Sequence, residues 1–208
     1  MKYDRCRKLF SKFDKLQNLR VLICGVGGVG GYALECLYRS GVKNITIIDY
    51  DTFDITNQNR QIGSEVVGEK KVKVLAKKYP GIIPIDKKLT PQNIQEIDFK
   101  NYDIVIDAID DIKAKIALIK NAYPKIISSM GAAKRIDPTK ITISSIWQTQ
   151  TDPFAKKIRD ELKKNNFKGD FKVVYSKEKP IKCDMGSFVG VTGAFGFALC
   201  SEVLKDFV

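Results

Sequence analysis

The hydrophobic pattern of the chain alternates between two periods, which predicts strands and helices in turn. Short runs rich in β-branched residues at Arg20–Cys24, Asn44–Asp49 and Tyr102–Ile109 have the length and composition of buried strands. Segments between them repeat apolar residues at helical spacing, as at Val29–Ser40, which a glycine ends, and at Asp111–Ala122. This alternation is typical of a doubly wound, mostly parallel, Rossmann-like α/β sheet.

Further elements complete this pattern at both ends. An amphipathic helix is expected over Asp4–Gln17 and a basic helix over Val66–Tyr79. Asp152 is an N-cap residue followed by Pro153, which predicts a charged helix as far as Asn165. The other predicted elements are the strands Ile82–Leu89, Lys125–Ser129, Lys140–Trp147 and Phe171–Ser176 and a short helix over Pro91–Ile97.

The size and hydropathy of the chain predict one domain without a membrane span. The chain has 208 residues and is 44% hydrophobic, enough for one well-buried core. Its longest apolar stretch, Phe188–Leu204, is interrupted by Glu202 and falls short of the roughly 18 residues that cross a bilayer. We expect a buried helix at a subunit contact there. Because the N-terminus has no signal-peptide core, a cytoplasmic location is predicted.

The cysteine and histidine content limits the chemistry. The five cysteines include no C-x-x-C pair, and the sequence contains 0 histidines, so a structural zinc site of the Cys/His kind is not expected. The commonest general base is therefore absent as well. Catalysis would depend on Asp, Glu, Lys, Arg, Cys, backbone dipoles or a metal ion.

The positive charge is concentrated late in the chain. The net charge is +12, and residues Lys140–Lys182 contain 11 basic and 5 acidic side chains, a local net of +6. A basic stretch of this kind suits a polyanion such as RNA. A solvated, lysine-rich surface explains the same composition, so charge alone leaves both interpretations open.

A glycine-rich loop follows the first predicted strand and opens a helix. Gly25, Gly27 and Gly30 fit the dinucleotide fingerprint, in which the glycines allow a tight turn, phosphate approach and helix packing. Phosphate would meet free N–H groups at the positive end of the helix dipole. Asp49, at the end of the second strand, can accept both ribose hydroxyls. The pattern predicts an adenine nucleotide and leaves its identity open.

The residues after the second strand favour ATP over a nicotinamide cofactor. Asn57, Arg60 and Gln61 lie on a loop that can fold over phosphates, and Lys71 lies in the next predicted helix. Arg60 and Lys71 would neutralise triphosphate charge. Asp110 ends the most apolar strand and faces the same sheet edge, where its carboxylate can hold Mg²⁺. Together they would stabilise charge on the α-phosphate during in-line attack.

The constellation resembles the ThiF/HesA family of ubiquitin-activating-like adenylating enzymes, over nearly the whole chain. The matching elements are Gly25-x-Gly27-Gly28-x-Gly30, Asp49-x-Asp51, Asn57-x-x-Arg60-Gln61, Gly68-x-x-Lys71 and Asp107-x-x-Asp110. The resemblance implies a homodimer that activates a carboxylate with ATP, a ligase-type reaction. It implies that Asp49 binds the ribose, that Asn57, Arg60 and Lys71 bind phosphates, and that Asp110 binds magnesium.

The family's N-terminal helix carries an arginine that reaches the partner subunit's ATP site. By this resemblance Arg5 is the best match, and Arg7 is the rival. The resemblance also divides the single domain, residues 1–208, into three parts. These are an N-terminal helix over 1–19, a nucleotide-binding core over 20–135, and an extension over 136–208 for substrate and dimer contacts.

Within the family, the later half of the chain is similar to the branch that cyclises threonylcarbamoyladenosine in tRNA. The elements that carry this similarity are Thr90-Pro91-x-Asn93, Ile136-Asp137-Pro138-Thr139, Asp152-Pro153-x-Ala155, Arg159 and Val173-Val174-Tyr175-Ser176. The resemblance implies a tRNA substrate, which suits the basic segment. The chain is shorter than is typical of the branch between Ser176 and Gly186, where a mobile substrate loop is expected.

Two other functions remain compatible with the sequence. The chain would activate a ubiquitin-like or sulfur-carrier protein if the missing zinc cysteines were dispensable. It would be a nicotinamide oxidoreductase or a nucleotide-binding RNA module if only the glycine loop and Asp49 mattered. Cys183, beside Lys182 in the polar loop, is either an activated nucleophile or an incidental exposed thiol. Docking of a sulfur-relay protein is also left open.

Overall fold

Seven strands form one sheet in the computed structural model, which describes residues 2–208. The strands are β1 (Arg20–Cys24), β2 (Asn44–Asp49), β3 (Ile83–Asp86), β4 (Ile104–Asp107), β5 (Ile126–Ser129), β6 (Ile141–Ser145) and β7 (Lys172–Ser176). Their order is β3-β2-β1-β4-β5-β7-β6, and within the described chain β6 alone runs antiparallel to its neighbour. The predicted doubly wound, mostly parallel sheet is therefore confirmed.

Seven α-helices cover the sheet in the described part of the chain. They are α1 (Asp4–Leu9), α2 (Phe13–Asn18), α3 (Gly30–Ser40), α4 (Lys71–Lys78), α5 (Ile112–Ala122), α6 (Pro153–Lys164) and α7 (Val189–Leu204). Asp152 caps α6 as predicted, accepting hydrogen bonds from the N–H groups of Phe154 and Ala155. Between residues 2 and 208, the structure contains no helix with the length and apolar character of a membrane span.

The core lies on both faces of the sheet, as a doubly wound fold requires. In β1, Val21 and Ile23 pack with α3, α4 and α7 on one face. Leu22 and Cys24 pack with α5 and α6 on the other face. Strand β4 is the fourth of seven strands, so its predicted central position is confirmed.

Three predicted helices differ from those observed. The N-terminal helix predicted over Asp4–Gln17 is two helices, because Phe10 is extended (φ −98°, ψ 105°) and α2 alone buries Phe13 and Leu16. The helix predicted from Val66 begins at Lys71. Gly68 has φ +85°, which is not a helical conformation, and its N–H donates to Phe53 O. The helix predicted over Pro91–Ile97 is a single 3₁₀ turn at Ile94–Glu96.

Candidate active site

The glycine loop between β1 and α3 is pressed against the turn that follows β4. Gly25 has φ +84°, and a Cβ there would lie 2.7 Å from Ala108 O. A Cβ on Gly30 would lie 1.9 Å from Gly25 O, well inside contact distance. These two positions therefore accept glycine alone, and the backbone N–H groups at the start of α3 face the carboxyl edge of the sheet.

Asp49 ties the end of β2 to this loop. Its Oδ2 accepts a hydrogen bond from Val26 N at 2.8 Å, and its Oδ1 accepts one from Asp51 N at 2.9 Å. Each carboxylate oxygen keeps a second acceptor position. The half-buried Asp49 carboxylate is thus oriented by the loop and still able to accept hydrogen bonds from a ligand's hydroxyl groups.

Arg60 and Gln61 lie directly over the glycine loop. A Cβ on Gly28 would meet Arg60 Cγ at 3.4 Å, and a Cβ on Gly27 would meet Gln61 Nε2 at 3.7 Å. Arg60 Nη1 donates to Thr56 O and to Asn59 Oδ1, at 2.9 and 2.8 Å. Within residues 2–208, the buried Gln61 Oε1 has no hydrogen-bond partner. This oxygen can therefore accept a hydrogen bond from water or from a ligand.

Lys71 and Asp51 form an ion pair beside the same loop. Lys71 begins α4 and is only 5% exposed, and its Nζ lies 3.0 Å from Asp51 Oδ2. A lysine so well buried stays charged only with a partner. Asp51 is partly open to solvent and holds the Lys71 ammonium group in place at this edge of the sheet.

Asn57 has a structural role in addition to the predicted one. Its Oδ1 accepts from Asp54 N at 3.2 Å, while Asp54 Oδ1 accepts from Thr56 N at 2.8 Å, which closes a capping box. The box fixes the 3₁₀ turn Ile55–Asn57 from which Arg60 and Gln61 follow. The predicted phosphate contact would use the amide nitrogen of Asn57, because its Oδ1 is already engaged by Asp54 N.

Asp110 lies on the exposed turn after β4, next to the segment that contacts Gly25. The following residue, Asp111, caps α5 by accepting from Ala114 N at 2.7 Å. In the described part of the chain, no group of three or more His, Cys, Asp or Glu side chains could hold a metal ion. A divalent ion at this edge would therefore depend on Asp110 together with phosphate oxygens, an arrangement that Mg²⁺ favours.

A buried polar cluster supports this turn, and sequence analysis missed one of its members. Lys115 Nζ donates to Asp107 Oδ2 at 2.7 Å and to Ser128 Oγ at 3.2 Å, and Asp107 Oδ1 accepts from Ile109 N at 3.1 Å. Lys115 and Asp107 are both 0% exposed. The signal was available, because Lys115 shares the buried face of α5 with Leu118, Ile119 and Ala122.

A second network lies at the carboxyl ends of β5 and β7. Buried Arg135 lies 3.4 Å from Asp152 Oδ2, and its Nε donates to Glu178 O at 3.1 Å. Burial raises the pKa of the Asp152 carboxyl, against the opposing effect of Arg135 and of three backbone N–H groups. Lys134 has φ +62° and donates through Nζ to Cys183 O at 2.8 Å. The 131–137 and 176–187 loops are thereby joined into one wall.

Of the two candidate N-terminal arginines, Arg7 is engaged within its own chain. Its Nη1 lies 2.9 Å from Asp14 Oδ1, and its guanidinium carbon is 4.6 Å from the Phe13 ring centre. Arg5 is exposed on α1.

Comparison with known protein families identifies one family that matches almost the whole chain. The ThiF family matches residues 7–207. The chain belongs to the ThiF family. This confirms the family membership that the glycine loop and the residues after β2 predicted.

Several relatives that match most of the chain share one enzyme name. The tRNA threonylcarbamoyladenosine dehydratase of Bacillus subtilis is 41% identical over 179 residues, which cover 81% of this chain and 70% of that protein. The structure of the Escherichia coli tRNA N6-threonylcarbamoyladenosine dehydratase in complex with ATP has a TM-score of 0.93, with 32% identity, over 99% of this chain and 93% of that one. Its complex with AMP has a TM-score of 0.92 and 33% identity, with the same coverage.

Proposed function

We propose that this ThiF-family chain is an ATP-dependent dehydratase that adenylates and cyclises threonylcarbamoyladenosine in tRNA. The observation that carries the proposal is the stacking of Arg60 and Gln61 on Gly28 and Gly27, with the buried Lys71 ammonium beside them. A hydride-transferring enzyme has no need of two cations over the phosphate loop. Relatives that match most of the chain supply the substrate: they are named for this modified tRNA nucleoside.

The nucleotide would lie along the carboxyl edge of β1, β2 and β4. Asp49 accepts hydrogen bonds from the ribose hydroxyls, the N–H groups of the glycine loop and the Asn57 amide donate to phosphates, and Arg60 and Lys71 neutralise the phosphate charge. Gln61 would use its unpaired Oε1 to accept a hydrogen bond from a donor group of the ligand. Asp51 contributes by holding Lys71. The side chains surround the α-phosphate, where charge develops in the transition state.

The reaction proceeds in two displacements at this site. The substrate's carboxylate oxygen attacks the α-phosphorus of ATP, and diphosphate leaves with the electrons of the broken P–O bond. The carbamoyl group then attacks the activated carbonyl carbon, the proton it loses passes to solvent, and AMP leaves. The net change in the nucleoside is the loss of one water molecule. Because the attacking groups belong to the substrate, no enzyme thiol is required.

Asp110 would hold Mg²⁺ against the phosphate oxygens. The Asp110 carboxylate is exposed at this turn and fits that ion, since Mg²⁺ keeps several waters and takes one or two carboxylates besides phosphate. The ion supplies charge neutralisation for the departing diphosphate. Arg60 and Lys71 remain the protein's own contribution to the same charge.

The residues after the nucleotide-binding core, 136–208, would form the substrate and dimer part of the domain. Phe197 on α7 is 48% exposed and packs edge-on against Tyr32 of α3, with ring centres 5.7 Å apart. Phe188 and Val189 add exposed apolar surface at the start of α7. We infer a homodimer through this face, in which exposed Arg5 reaches the partner subunit's nucleotide. The exposed 181–186 loop is the place where a sulfur-relay protein could dock.

The deciding experiment follows AMP release and nucleoside mass with ATP, Mg²⁺ and tRNA that carries threonylcarbamoyladenosine. We expect AMP only with the modified tRNA, together with loss of one water from the nucleoside. Arg60→Ala and Asp110→Ala should slow this reaction strongly, and wild-type rates in both variants would refute the mechanism. Nucleotide turnover that requires a small carrier protein, with no effect of tRNA, would instead assign the chain to carrier activation.

The trans role of Arg5 has a separate test. Arg5→Ala and Arg60→Ala proteins would each be inactive alone. In a mixed dimer, one of the two sites combines an intact Arg60 with the partner subunit's intact Arg5. Activity that returns on mixing would support the dimer and the trans contact. If mixed dimers formed and mixing restored nothing, Arg5 would act within its own subunit. An Arg5→Ala protein that is active alone would show that Arg5 has no part.

A further inference from the structure

The two faces of the sheet present different surfaces. On the face covered by α3, α4 and α7, helix α7 exposes apolar side chains, among them Phe197. The opposite face, covered by α5 and α6, is rich in lysine. Charged residues, lysine among them, are depleted from the core of protein interfaces, so the lysine-rich surface of α5 and α6 suits another kind of partner better than a second copy of the chain.

A groove of about 850 Å³ lies between α5 and α6. Both helices start at the carboxyl edge of the sheet: α5 follows β4, and the α6 cap Asp152 accepts from Gly131 N at 3.1 Å, just after β5. The two helices therefore run side by side in the same direction. The upper end of the groove is lined by Ile112 and Lys113, which directly follow the Asp110–Asp111 turn. The groove thus leads away from the nucleotide site.

Two lysines line each side of this groove, with the same spacing in sequence on both helices. Lys113 and Lys120 line it on α5, and Lys157 and Lys164 line it on α6. Each pair is separated by seven positions, which places the two Cα atoms about 10 Å apart along the helix axis. Two carboxylates, Asp160 and Glu161, face the four lysines, so the groove keeps a positive balance.

The lysine side chains are available for phosphate. All four are exposed, and Lys164 pairs with Glu161 at 2.7 Å while Lys120 Nζ reaches Asn165 Oδ1 at 3.3 Å. An exposed ion pair of this kind is worth little and is readily exchanged for a phosphate. Arg159, which is also on α6, differs from these lysines because it donates to Thr149 O at 3.0 Å and is engaged within the fold.

We propose that the α5–α6 groove holds the sugar–phosphate backbone of the tRNA, with Lys113, Lys120, Lys157 and Lys164 as its phosphate contacts. The proposal rests on the proposed function and names the surface that binds the body of that substrate. A modified nucleoside at the Asp110 edge would leave the rest of the RNA lying along the groove. Rows of ammonium groups at regular spacing suit a polyanion's backbone, whose recognition depends on charge and not on sequence.

The test compares tRNA binding by the full-length wild-type protein and by a variant with Lys113→Gln, Lys120→Gln, Lys157→Gln and Lys164→Gln. Binding is measured by fluorescence anisotropy over a range of salt concentrations. If the lysines make four phosphate contacts, the slope of log affinity against log salt should fall in magnitude by about 3. The matched control carries Lys43→Gln, Lys73→Gln, Lys77→Gln and Lys78→Gln, which removes the same charge from exposed positions elsewhere.

We expect the control to keep the wild-type slope, and the groove variant to show a raised KM for tRNA with an unchanged kcat and unchanged affinity for ATP. Equal slopes for the groove variant and the wild type would overturn the proposal, and the apolar floor formed by Ile112, Ile116 and Ala117 would then suit an acidic protein helix. Equal losses in both variants would also overturn it, because the effect would then be one of net charge. A wild-type protein that bound no tRNA would refute the proposed function itself.

Discussion

Lys115 Nζ lies 2.7 Å from Asp107 Oδ2, and neither side chain is exposed to solvent. The pair joins the middle of α5 to the last residue of the central strand, directly beneath the turn that carries Asp110. Asp107 also accepts from Ser128 Oγ at 2.5 Å and from Ile109 N at 3.1 Å, so the cluster is fully hydrogen-bonded. A satisfied buried network of this kind fixes the conformation of the backbone around it.

Removing one partner of this pair should destabilise the fold. Lys115→Met leaves the Asp107 charge buried without a counter-ion, for which we expect a loss of about 3–5 kcal/mol in the free energy of unfolding. Urea denaturation measures the change. The exposed Lys73→Met on α4 is the control and should stay within about 0.5 kcal/mol of the wild type.

The double variant Asp107→Leu with Lys115→Met sharpens the test. It removes both charges, so its free energy of unfolding should be closer to the wild type than that of Lys115→Met alone. A single variant as stable as the wild type would contradict the interpretation, since Asp107 would then not need Lys115 as a counter-ion.

Two neighbouring glycines should respond in opposite ways to alanine. A Cβ on Gly30 would lie 1.9 Å from Gly25 O, which the backbone of the loop cannot accommodate, whereas a Cβ on Gly31 would lie 3.5 Å from Val26 O, an ordinary contact. Gly30→Ala should lower the free energy of unfolding by about 1–3 kcal/mol or more and abolish ATP binding. Calorimetric titration with ATP and thermal unfolding measure both effects.

Gly31→Ala is the matched control in the same turn of α3. It should bind ATP as the wild type does and be no less stable, because alanine is more favourable than glycine in a helix by about 1 kcal/mol. Equal ATP affinity in Gly30→Ala and Gly31→Ala would show that the loop can relax and that its close packing is not needed for the nucleotide.

The strands and the glycine loop were predictable because their signals are local. The β-branched runs at Arg20–Cys24 and Asn44–Asp49 match the observed strands, and the glycines that follow the first run indicate a turn. The N-terminal break at Phe10 was not predictable, because it depends on how Phe13 and Leu16 reach a core formed by distant residues. Local spacing alone favoured one continuous helix there.

The candidate site divides in the same way. The positions of Arg60 and Gln61 over the loop could be expected from their distance behind β2, since such a connection returns to the carboxyl edge. The joining of the 131–137 and 176–187 loops by Lys134 and Arg135 depends on contacts between residues far apart in the chain. No period or motif in the sequence encodes those contacts.

Cys183 should be dispensable for cyclisation. The thiol is exposed, and the nearby Lys134 Nζ donates to the backbone oxygen of Cys183, at 2.8 Å, so it does not activate the sulfur. The reaction closes within the substrate and needs no enzyme nucleophile. Cys183→Ala should therefore release AMP and dehydrate the modified nucleoside at the wild-type rate. A loss of about tenfold or more, with tRNA affinity unchanged, would show that the thiol takes part.

Asp49 should determine whether the site distinguishes ribose from deoxyribose. Its two oxygens are oriented by the N–H groups of Val26 and Asp51, and each retains an acceptor position for a hydroxyl group. Wild-type protein should prefer ATP over 2′-deoxy-ATP by about 1.5–3 kcal/mol, the usual value of a hydrogen bond to a charged acceptor. Calorimetric titration with both nucleotides measures the preference.

In Asp49→Ala, both nucleotides should bind more weakly and the difference between them should vanish. The weakening common to both would report the loss of loop support at Val26, and the lost difference would report the hydroxyl contact itself. Comparing two ligands in two proteins separates these effects, because a general loosening of the loop cannot change the ratio of the two affinities. If Asp49→Ala kept the wild-type ratio, Asp49 would serve the loop alone and the ribose would be recognised by another group.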